Sequence, residues 1–256
     1  MLRNISDLKG SKVIATDGDV GKIEHVYFDD VTWGLRYLVV DTGTWLHQRK
    51  VLISPYSILR GDEFSRTVHL KLSRQEVQDS PKIDTHKPVS RQHETELLGY
   101  YGYPPYWEGP SFWGMGGFPD ESLVGPVPVG AAQGSLTPSA PTPAADIHLR
   151  NADEVRSYHI EAADGNIGQV SGFLFDDAAW VIRYVTVDTR SWWTGGSEVL
   201  LATQWIDGID FETRTVSTSL TRDAVKDSPD YDLAVPLNRS YETQLHSFYG
   251  RRGYWL

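Results

Sequence analysis

Apolar residues in the first third of the chain recur at spacings that predict short β-strands joined by tight turns. The hairpin dipeptide Asp17-Gly18 precedes a run whose apolar positions are Val20, Ile23, Val26 and Phe28. Steps of three, three and two residues fit neither a regular helix nor a regular strand, so this run indicates a strand with a β-bulge. Apolar runs at 51–53 and 68–72 add further short strands.

Helix is predicted only towards the end of this pattern. Ser73 followed by Glu76 is a capping-box signature at the start of a short helix. Ser90 and Asn238 are residue types that favour the N-cap position, so each predicts one more short helix. The pattern therefore predicts a mainly β chain with a few short helices.

The chain contains two copies of one sequence unit. When the chain is shifted by 147 residues, 17 of the 44 positions from Leu2 to Trp45 are identical. These identities include Leu2-Arg3-Asn4 with Leu149-Arg150-Asn151, and Phe28-Asp29-Asp30 with Phe175-Asp176-Asp177. A shift of 148 residues aligns later identities: Asp79-Ser80-Pro81 with Asp227-Ser228-Pro229, Glu94-Thr95 with Glu242-Thr243, and Tyr106-Trp107 with Tyr254-Trp255. Self-similarity at one long period predicts a tandem duplication.

The repeat divides the chain into segments. We predict a barrel at 1–80, a helix with an aromatic tail at 81–107, a linker at 108–147, a second barrel at 148–228 and a second helix with a tail at 229–256. The linker is rich in proline and glycine, which is typical of a low-complexity connection. Its Trp113 and Phe118 make it aromatic in part, so this stretch is expected to dock on a folded part of the chain.

The pattern of motifs along the chain resembles the PRC-barrel family, the small β-barrel of the cytoplasmic part of photosynthetic reaction-centre H subunits. The matching residues are Leu2-Arg3-Asn4, Asp17-Gly18 with Gly21, Phe28-Asp29-Asp30, and the runs at 36–43 and 51–55. The second copy departs from the pattern at Arg190 and at Ala202-Thr203. The tails also resemble those of stand-alone bacterial proteins with tandem copies of this domain.

The resemblance implies a fold and a general role. It implies two tandem small PRC-type β-barrels, each with a short C-terminal helix and an aromatic tail. It also implies an interaction module, because the family is known mostly for binding other proteins. The family has no catalytic residue to carry over to this chain. The chain lacks the membrane helix of a reaction-centre H subunit, so that particular role is not expected.

Composition narrows the class of protein. The 256 residues include no cysteine, which excludes a disulfide scaffold, a thiolate metal site and a cysteine nucleophile. The net charge of −10 argues against nucleic-acid binding, which needs clustered lysine and arginine. No apolar run approaches the length of a membrane span, and the first residues have no apolar signal region. We therefore expect a cytoplasmic protein with no membrane span and no nucleic-acid partner.

Histidines offer little support for catalysis or metal binding. None of the eight aligns with a histidine of the other copy: His25, His47, His69, His86, His93, His148, His159 and His246. A ligand or base essential to the unit would recur in both copies. We interpret these residues as solvated or satisfied surface histidines.

Carboxylates and arginines that recur in both copies have two interpretations each. The pairs Asp29-Asp30 and Asp176-Asp177 fit either turn formers or carboxylates gathered for a divalent cation. We favour the turn formers, because adjacent residues at a strand end point apart. Arg36 and Arg183 fit a structural ion pair with one of these aspartates better than a substrate contact.

The aromatic tails carry the candidate interface. Tyrosine and tryptophan combine a large apolar area with a polar group, which suits interfaces. One interpretation packs each tail on another barrel, and the other folds it back over an open end or edge of its own barrel. The candidate interface residues are Tyr100, Tyr101, Tyr103, Tyr106, Trp107, Phe248, Tyr249, Tyr254 and Trp255.

These observations lead to one functional prediction and its rivals. We expect a non-enzymatic scaffold or adaptor that binds a protein partner and also self-associates as a homo-oligomer, with no cofactor and no catalytic or metal-binding residue. The main alternative is a protein that binds a small ligand or divalent metal, between the barrels or at the Asp-rich turns. An enzyme is the least favoured reading, because no catalytic pair or triad is visible.

Overall fold

The computed structural model describes residues 1–47, 49–59, 66–82, 89–108, 112–114, 148–232 and 235–255. Most of the ordered elements in these ranges are strands. The strands are β1 (Leu2–Asn4), β2 (Lys12–Ala15), β3 (Gly18–Asp29), β4 (Leu35–Asp41), β5 (Lys50–Ile53), β6 (Thr67–His69), β7 (Leu149–Asn151), β8 (His159–Ala162), β9 (Gly165–Asp176), β10 (Val181–Asp188), β11 (Glu198–Ala202), β12 (Ile206–Asp210) and β13 (Thr215–Thr218).

The helices are few and short. They are α1 (Arg74–Asp79), α2 (Arg91–Tyr101), α3 (Ala152–Val155), α4 (Arg222–Lys226) and α5 (Arg239–Phe248), with 3₁₀ turns at Ile5–Asp7, Pro55–Ser57 and Thr203–Trp205. Ser73 and Glu76 form the predicted capping box of α1. Ser90 and Asn238 cap α2 and α5 as predicted. No helix within these described stretches has the length and apolarity that crossing a membrane would require.

The chain forms two compact units. The N-terminal unit contains Leu8–Leu149, and the C-terminal unit contains Arg150–Leu256 together with Met1–Asp7. The C-terminal unit is therefore discontinuous in sequence, because it takes its first strand from the start of the chain. Nothing in the repeat pattern predicts this arrangement, and the boundaries drawn from the repeats remain predictions.

Each unit contains one multi-stranded sheet, and the two strand orders correspond except that the C-terminal sheet has one more strand, β12, at its end. In the N-terminal unit the order is β5-β4-β3-β2-β6, and β7 also pairs with β3. In the C-terminal unit the order is β11-β10-β9-β8-β13-β12, and β1 also pairs with β9. Along each of these strand orders the neighbouring strands are antiparallel except at one junction, where β2 runs parallel to β6 and β8 runs parallel to β13. The corresponding strands of the two sheets are formed by equivalent sequence positions of the two repeats.

The long strand of each sheet carries the irregularity that the apolar spacing predicts. In β3 the pairing with β4 shifts between Ile23 and His25, so that Ile23, Val26 and Phe28 are all buried. A β-bulge has this effect, because one extra residue changes which face of the strand a side chain occupies. The corresponding β9–β10 pairing also contains two register shifts.

The paired glycines of the motif have a steric role. Gly21 lies at a φ of 154°, and a Cβ there would overlap the carbonyl oxygen of Asp41. Gly168 lies at a φ of 130°, and its Cβ would meet the carbonyl oxygen of Asp188 in the same way. Only glycine permits this close approach of two strand backbones.

The prediction of a mainly β chain is confirmed, with one sheet for each repeat. Leu38, Val39 and Val40 are all fully buried in the N-terminal unit, so this part of β4 is covered on both faces. Within the described residues, the hydrogen-bonded strand order of each sheet runs between two ends and does not return to its first strand. The predicted linker lies outside the described residues except for 108 and 112–114.

Candidate interaction surface

Each aromatic tail follows a helix, and the two helices end with the same kind of C-terminal turn. Helix α2 ends at Tyr101, and its C-cap Gly102 has a left-handed φ of 69°. The N–H of Tyr103 donates to the carbonyl of Leu98 at 2.9 Å. Helix α5 is followed by Gly250 at a φ of 61°, and the N–H of Arg251 donates to the carbonyl of His246 at 2.9 Å. A left-handed glycine at this position reverses the chain and returns it towards the helix.

A buried carboxylate holds the first tail against its sheet. Glu94 of α2 is 2% exposed and accepts a hydrogen bond from the Tyr106 hydroxyl at 2.5 Å. The hydroxyl of Tyr37, which lies on β4, donates to the same oxygen at 3.3 Å. Because the three groups come from a strand, a helix and a tail, the carboxylate links all three elements.

The second unit repeats this cluster at equivalent positions. Glu242 of α5 is buried and accepts hydrogen bonds from the hydroxyls of Tyr184 at 3.0 Å and Tyr254 at 2.9 Å. Sequence reasoning missed both glutamates as functional or structural centres. The sequence did contain a signal for them, because glutamate occurs at this position in both copies. In each helix it lies three residues before a buried leucine, Leu97 or Leu245.

Burial dominates the electrostatics of the first cluster. Burial raises the pKa of Glu94 to about 7, although hydrogen bonds from Tyr106 and Tyr37 and the nearby charge of Arg91 oppose the shift. Burial and the adjacent Glu94 also raise the pKa of Tyr37 and of Tyr106, so both phenols stay protonated as donors. The cluster is therefore a set of permanent donors around one carboxyl group whose protonation changes near neutral pH.

Two arginines stack on the first tail. The guanidinium carbon of Arg36 lies 3.8 Å from the ring centroid of Tyr106 and 4.8 Å from that of Trp113. Arg91 lies 4.2 Å from the ring centroid of Trp107 and 5.4 Å from that of Tyr106. Cation–π contacts of this kind are strongest where water is excluded, as it is around the fully buried Arg36.

The second tail has an equivalent pair of arginines. The guanidinium carbon of Arg183 lies 4.3 Å from the Tyr254 ring centroid, and that of Arg239 lies 4.2 Å from the Trp255 ring centroid. Arg239 also forms an ion pair with Glu242 at 3.2 Å. The tail of each unit is thus fixed by a buried glutamate and by stacked arginines.

The units differ in what fills the space beneath the tail. His246 takes the place of Leu98, and its Nε2 lies 3.0 Å from the Tyr184 hydroxyl while its Nδ1 lies 3.0 Å from the Arg252 carbonyl oxygen. Burial lowers the pKa of His246. The interpretation of the histidines as surface residues is wrong for His246, because its ring is enclosed by Trp205 and Trp255.

The predicted interface residues fall into three groups by exposure. Tyr103 and Tyr106 are buried in their own unit, and the Tyr103 hydroxyl lies 2.9 Å from the Ser57 hydroxyl. Tyr100 and Phe248, which are equivalent positions, are 38% and 44% exposed. The remaining residues are half-buried: Tyr101, Trp107, Tyr249, Tyr254 and Trp255. The buried members fold back on their own unit, and a role of the others in an interface stays a prediction.

Part of the linker docks, as its aromatic content predicts. Trp113 is buried, and its ring centroid lies 5.1 Å from that of Tyr56 in an edge-on arrangement. The Tyr56 hydroxyl donates to the Trp113 carbonyl at 3.1 Å. Phe118, the other end of this aromatic stretch, lies outside the described residues.

The Asp-rich turns have the geometry of turn formers. Oδ1 of Asp29 accepts the backbone N–H groups of Val31 at 3.0 Å and Thr32 at 2.8 Å. Oδ1 of Asp176 accepts the N–H of Ala178 at 3.1 Å. Across the described ranges, histidine, aspartate and glutamate side chains form no group of three or more that could hold a metal ion.

The recurring aspartates also form the predicted ion pairs. Arg36 Nε lies 4.0 Å from Asp29, and Arg183 Nη2 lies 3.6 Å from Asp176. The interpretation of these arginines as structural ion-pair partners is therefore confirmed. Among the remaining histidines, His148 contacts Asp30 at 3.3 Å, and His86 lies outside the described residues.

Comparison with known families identifies the N-terminal repeat. Residues 2–75 match the family model described as the PRC-barrel domain. The resemblance noted from the motifs is thereby confirmed for this part of the chain. A comparison with curated proteins found no match.

Proposed function

We propose that this chain, which carries a PRC-barrel domain at residues 2–75, is a non-enzymatic scaffold or adaptor that binds a protein partner and associates with itself. The observation that supports the proposal is the duplicated tail. Each unit holds an aromatic segment in one conformation through a buried glutamate and stacked arginines, and each leaves an aromatic ring exposed at the equivalent position, Tyr100 or Phe248.

The exposed rings are connected to buried ones in each unit. In the C-terminal unit, ring contacts run from Phe248 to Tyr249 at 5.0 Å and from Tyr249 to Trp205 at 4.7 Å. In the N-terminal unit, they run from Tyr100 to Tyr101 at 4.8 Å and from there to Tyr103. A ring fixed in this way loses little freedom when a partner covers it, so more of the contact energy contributes to affinity.

Aromatic and arginine side chains are also the residue types that contribute most to protein interfaces. Trp107 and Trp255 are half-buried, and each is stacked by a partly exposed arginine, Arg91 or Arg239. In each unit separately, the tail therefore has the residue composition expected of a binding surface. A protein partner is therefore a better match for these tails than a small molecule.

Two features support a non-enzymatic role. The PRC-barrel family is generally non-enzymatic. Glu94 has a pKa near neutrality, which a general acid needs, but its side chain is fully enclosed and takes hydrogen bonds from Tyr37 and Tyr106. A substrate would have to displace Tyr106 to reach the carboxyl group, so we assign Glu94 a structural role.

The test compares two surface variants of the full chain. The full chain is first immobilised to capture a partner protein from a cell lysate. We expect the double variant Tyr100→Ala with Phe248→Ala to bind this partner at least about tenfold more weakly, because exposed aromatic rings contribute strongly to interfaces. The matched control is Val31→Ala, which removes another exposed apolar side chain, one that is 68% exposed on a turn. Immobilised chain, quantitative mass spectrometry and a binding titration provide the readout, with circular dichroism to confirm folding.

Self-association is measured separately by light scattering over a range of protein concentrations. A mass that rises with concentration supports this part of the proposal. A chain that stays monomeric at every concentration and retains the same captured proteins after both tail substitutions would overturn it.

A further inference from the structure

Strand β1 completes the sheet of the unit that the other repeat encodes. Its register on β9 places Leu2 opposite Asp176, Arg3 opposite Phe175 and Asn4 opposite Leu174. The N–H of Asp177 donates to the carbonyl of Met1 at 3.1 Å. The next residue of the segment, Ile5, is 7% exposed. The start of the first repeat is thus a structural part of the C-terminal unit.

The N-terminal unit is completed in the same way by the start of the second repeat. The N–H of Asp30 donates to the carbonyl of His148 at 3.0 Å, which is the equivalent of the Asp177–Met1 hydrogen bond. Leu149 is buried in a core cluster with Tyr37, Val39 and other residues of that unit. The two repeats therefore exchange their first strands reciprocally.

The exchange is possible because the two acceptor edges are chemically alike. Both donors carry the same three residues, Leu2-Arg3-Asn4 and Leu149-Arg150-Asn151, and both acceptor strands end in the same Phe-Asp-Asp sequence at Phe28 and Phe175. Most of the pairing uses backbone groups, which are the same for any sequence. An acceptor edge of this kind cannot distinguish a donor strand of its own chain from that of another copy.

We propose that a second copy of this chain is the self-association partner, and that the two copies exchange β1. The inference rests on the proposed function, because it names the contact through which self-association occurs. In the dimer, β1 of each copy pairs with β9 of the other, so both C-terminal units keep every contact of the monomer. Reciprocal exchange of one element gives a closed, two-fold symmetric dimer.

Concentration controls the balance between the two forms. The contacts of β1 are the same in each form, so the free-energy difference depends mainly on the effective concentration of the strand within its own chain. Release of the segment breaks the pairing of three half-buried residues and exposes Ile5, but it leaves the rest of the C-terminal unit in place, so it resembles local opening more than global unfolding. Dimer formation is therefore expected to increase with protein concentration without denaturation of the chain.

Cysteine pairing tests the proposal directly, because the natural chain has no cysteine. Leu2 and Asp176 face each other in the register, next to the hydrogen bond from the Asp177 N–H to the Met1 carbonyl. Because hydrogen-bonded and non-hydrogen-bonded pairs alternate in antiparallel strands, we expect this pair to be of the second kind, in which side chains approach most closely. One chain carries Leu2→Cys and a second, of different tagged mass, carries Asp176→Cys. The two are mixed at high concentration, oxidised and separated without reductant.

We expect a covalent heterodimer of these two chains, at several times the yield obtained when Val235→Cys replaces Asp176→Cys. Val235 is 52% exposed and is not paired with β1, so it reports random collision. The heterodimer yield is expected to rise with concentration. Equal yields for the two mixtures would overturn strand exchange between copies.

A second measurement starts from the natural sequence and needs no cysteine. Unlabelled chain and ¹⁵N-labelled chain are mixed at high concentration and examined by native mass spectrometry, which is expected to show dimers of intermediate mass. Arg3→Pro removes a backbone donor from β1 and is expected to reduce them. Dimers that persist unchanged in Arg3→Pro but disappear in the Tyr100→Ala, Phe248→Ala variant would overturn strand exchange and leave the proposed function intact. Absence of both dimers and captured partners would overturn both.

Discussion

The two units hold their tails with the same hydrogen bonds and the same kind of arginine stacking, but different side chains pack around these contacts. Both contain the Tyr–Glu–Tyr cluster and an arginine stacked on the tail tyrosine. The N-terminal unit encloses Arg36 completely between Tyr106 and Trp113, whereas the C-terminal unit places His246 and Trp205 beneath its tail. The buried hydrogen bonds are thus common to the two units, whereas the aromatic packing around them differs.

The largest expected difference between the units concerns the arginines. Arg36→Ala removes a fully buried cation between two rings and leaves Asp29 without its ion-pair partner, so we expect a loss of about 3–5 kcal/mol in the free energy of unfolding. Arg183→Ala removes a side chain that is 15% exposed, and a smaller loss of about 1–3 kcal/mol is expected. Urea unfolding followed by circular dichroism measures both, and equal losses would contradict the contrast.

The pH dependence of stability is expected to have opposite signs in the two units. In the N-terminal unit, folded Glu94 keeps its proton up to a pKa of about 7, whereas the unfolded glutamate releases it near its ordinary pKa of 4.5. The folded unit therefore binds more protons between these values, and its stability falls as the pH rises from about 4.5 to 7, by up to about 3 kcal/mol. Above pH 7 the effect levels off.

In the C-terminal unit, burial lowers the pKa of His246 below its ordinary value of 6.5. The unfolded histidine binds a proton more readily, so this contribution to stability is lost as the pH falls below 6.5. Denaturant unfolding at pH 5 to 8 tests the pair of variants Glu94→Gln and His246→Leu, the latter placing in α5 the residue that α2 has at Leu98. Profiles that match the parent chain in both variants would disprove the opposite responses.

The tail tyrosines are expected to give a smaller and nearly equal effect in both units. Tyr106→Phe and Tyr254→Phe each remove one hydrogen bond to a buried carboxylate, and we expect a loss of about 1.5–3 kcal/mol for each. The loss at Tyr106 should be the larger, because that hydroxyl is buried and its contact is shorter. A loss below about 0.5 kcal/mol at both sites would show that the hydroxyls do not hold the tails.

The smallest expected effect concerns the Asp-rich turns. Ca²⁺ or Mg²⁺ at millimolar concentration is expected to leave the melting temperature unchanged, because Asp29 and Asp176 already accept backbone N–H groups. A ligand that binds only the folded state raises the melting temperature. A rise that Asp29→Asn with Asp176→Asn abolishes would instead support the divalent-metal alternative in both units equally.

Local features of the fold could be predicted from the sequence because short-range chemistry fixes them. The capping box at Ser73, the bulge in β3 and the N-caps at Ser90 and Asn238 depend on residues close in sequence. The ion pairs of Arg36 and Arg183 could be predicted because both the arginine and the aspartate occur at equivalent positions of the two copies.

Other features depend on contacts that a sequence pattern does not contain. A glutamate on a helix is normally exposed, so nothing in a single copy distinguishes Glu94 from its solvated neighbours. Its burial follows from two tyrosines that lie 57 and 12 residues away. The strand exchange was equally hidden, since both donor strands have the same three residues and both acceptor strands end in the same Phe-Asp-Asp sequence, so the sequence does not distinguish exchanged from unexchanged pairing.

The position of β1 also has a consequence for the order of synthesis. Leu2–Asn4 leaves the ribosome well before β9, so at about 5–20 residues per second this segment waits roughly 10–30 s for its partner strand. During this interval the described part of the first repeat already offers β3, the strand that pairs with β7, the equivalent of β1, in the finished protein. Translation speed through the second repeat therefore sets how long β1 can occupy the wrong edge before the native pairing becomes available.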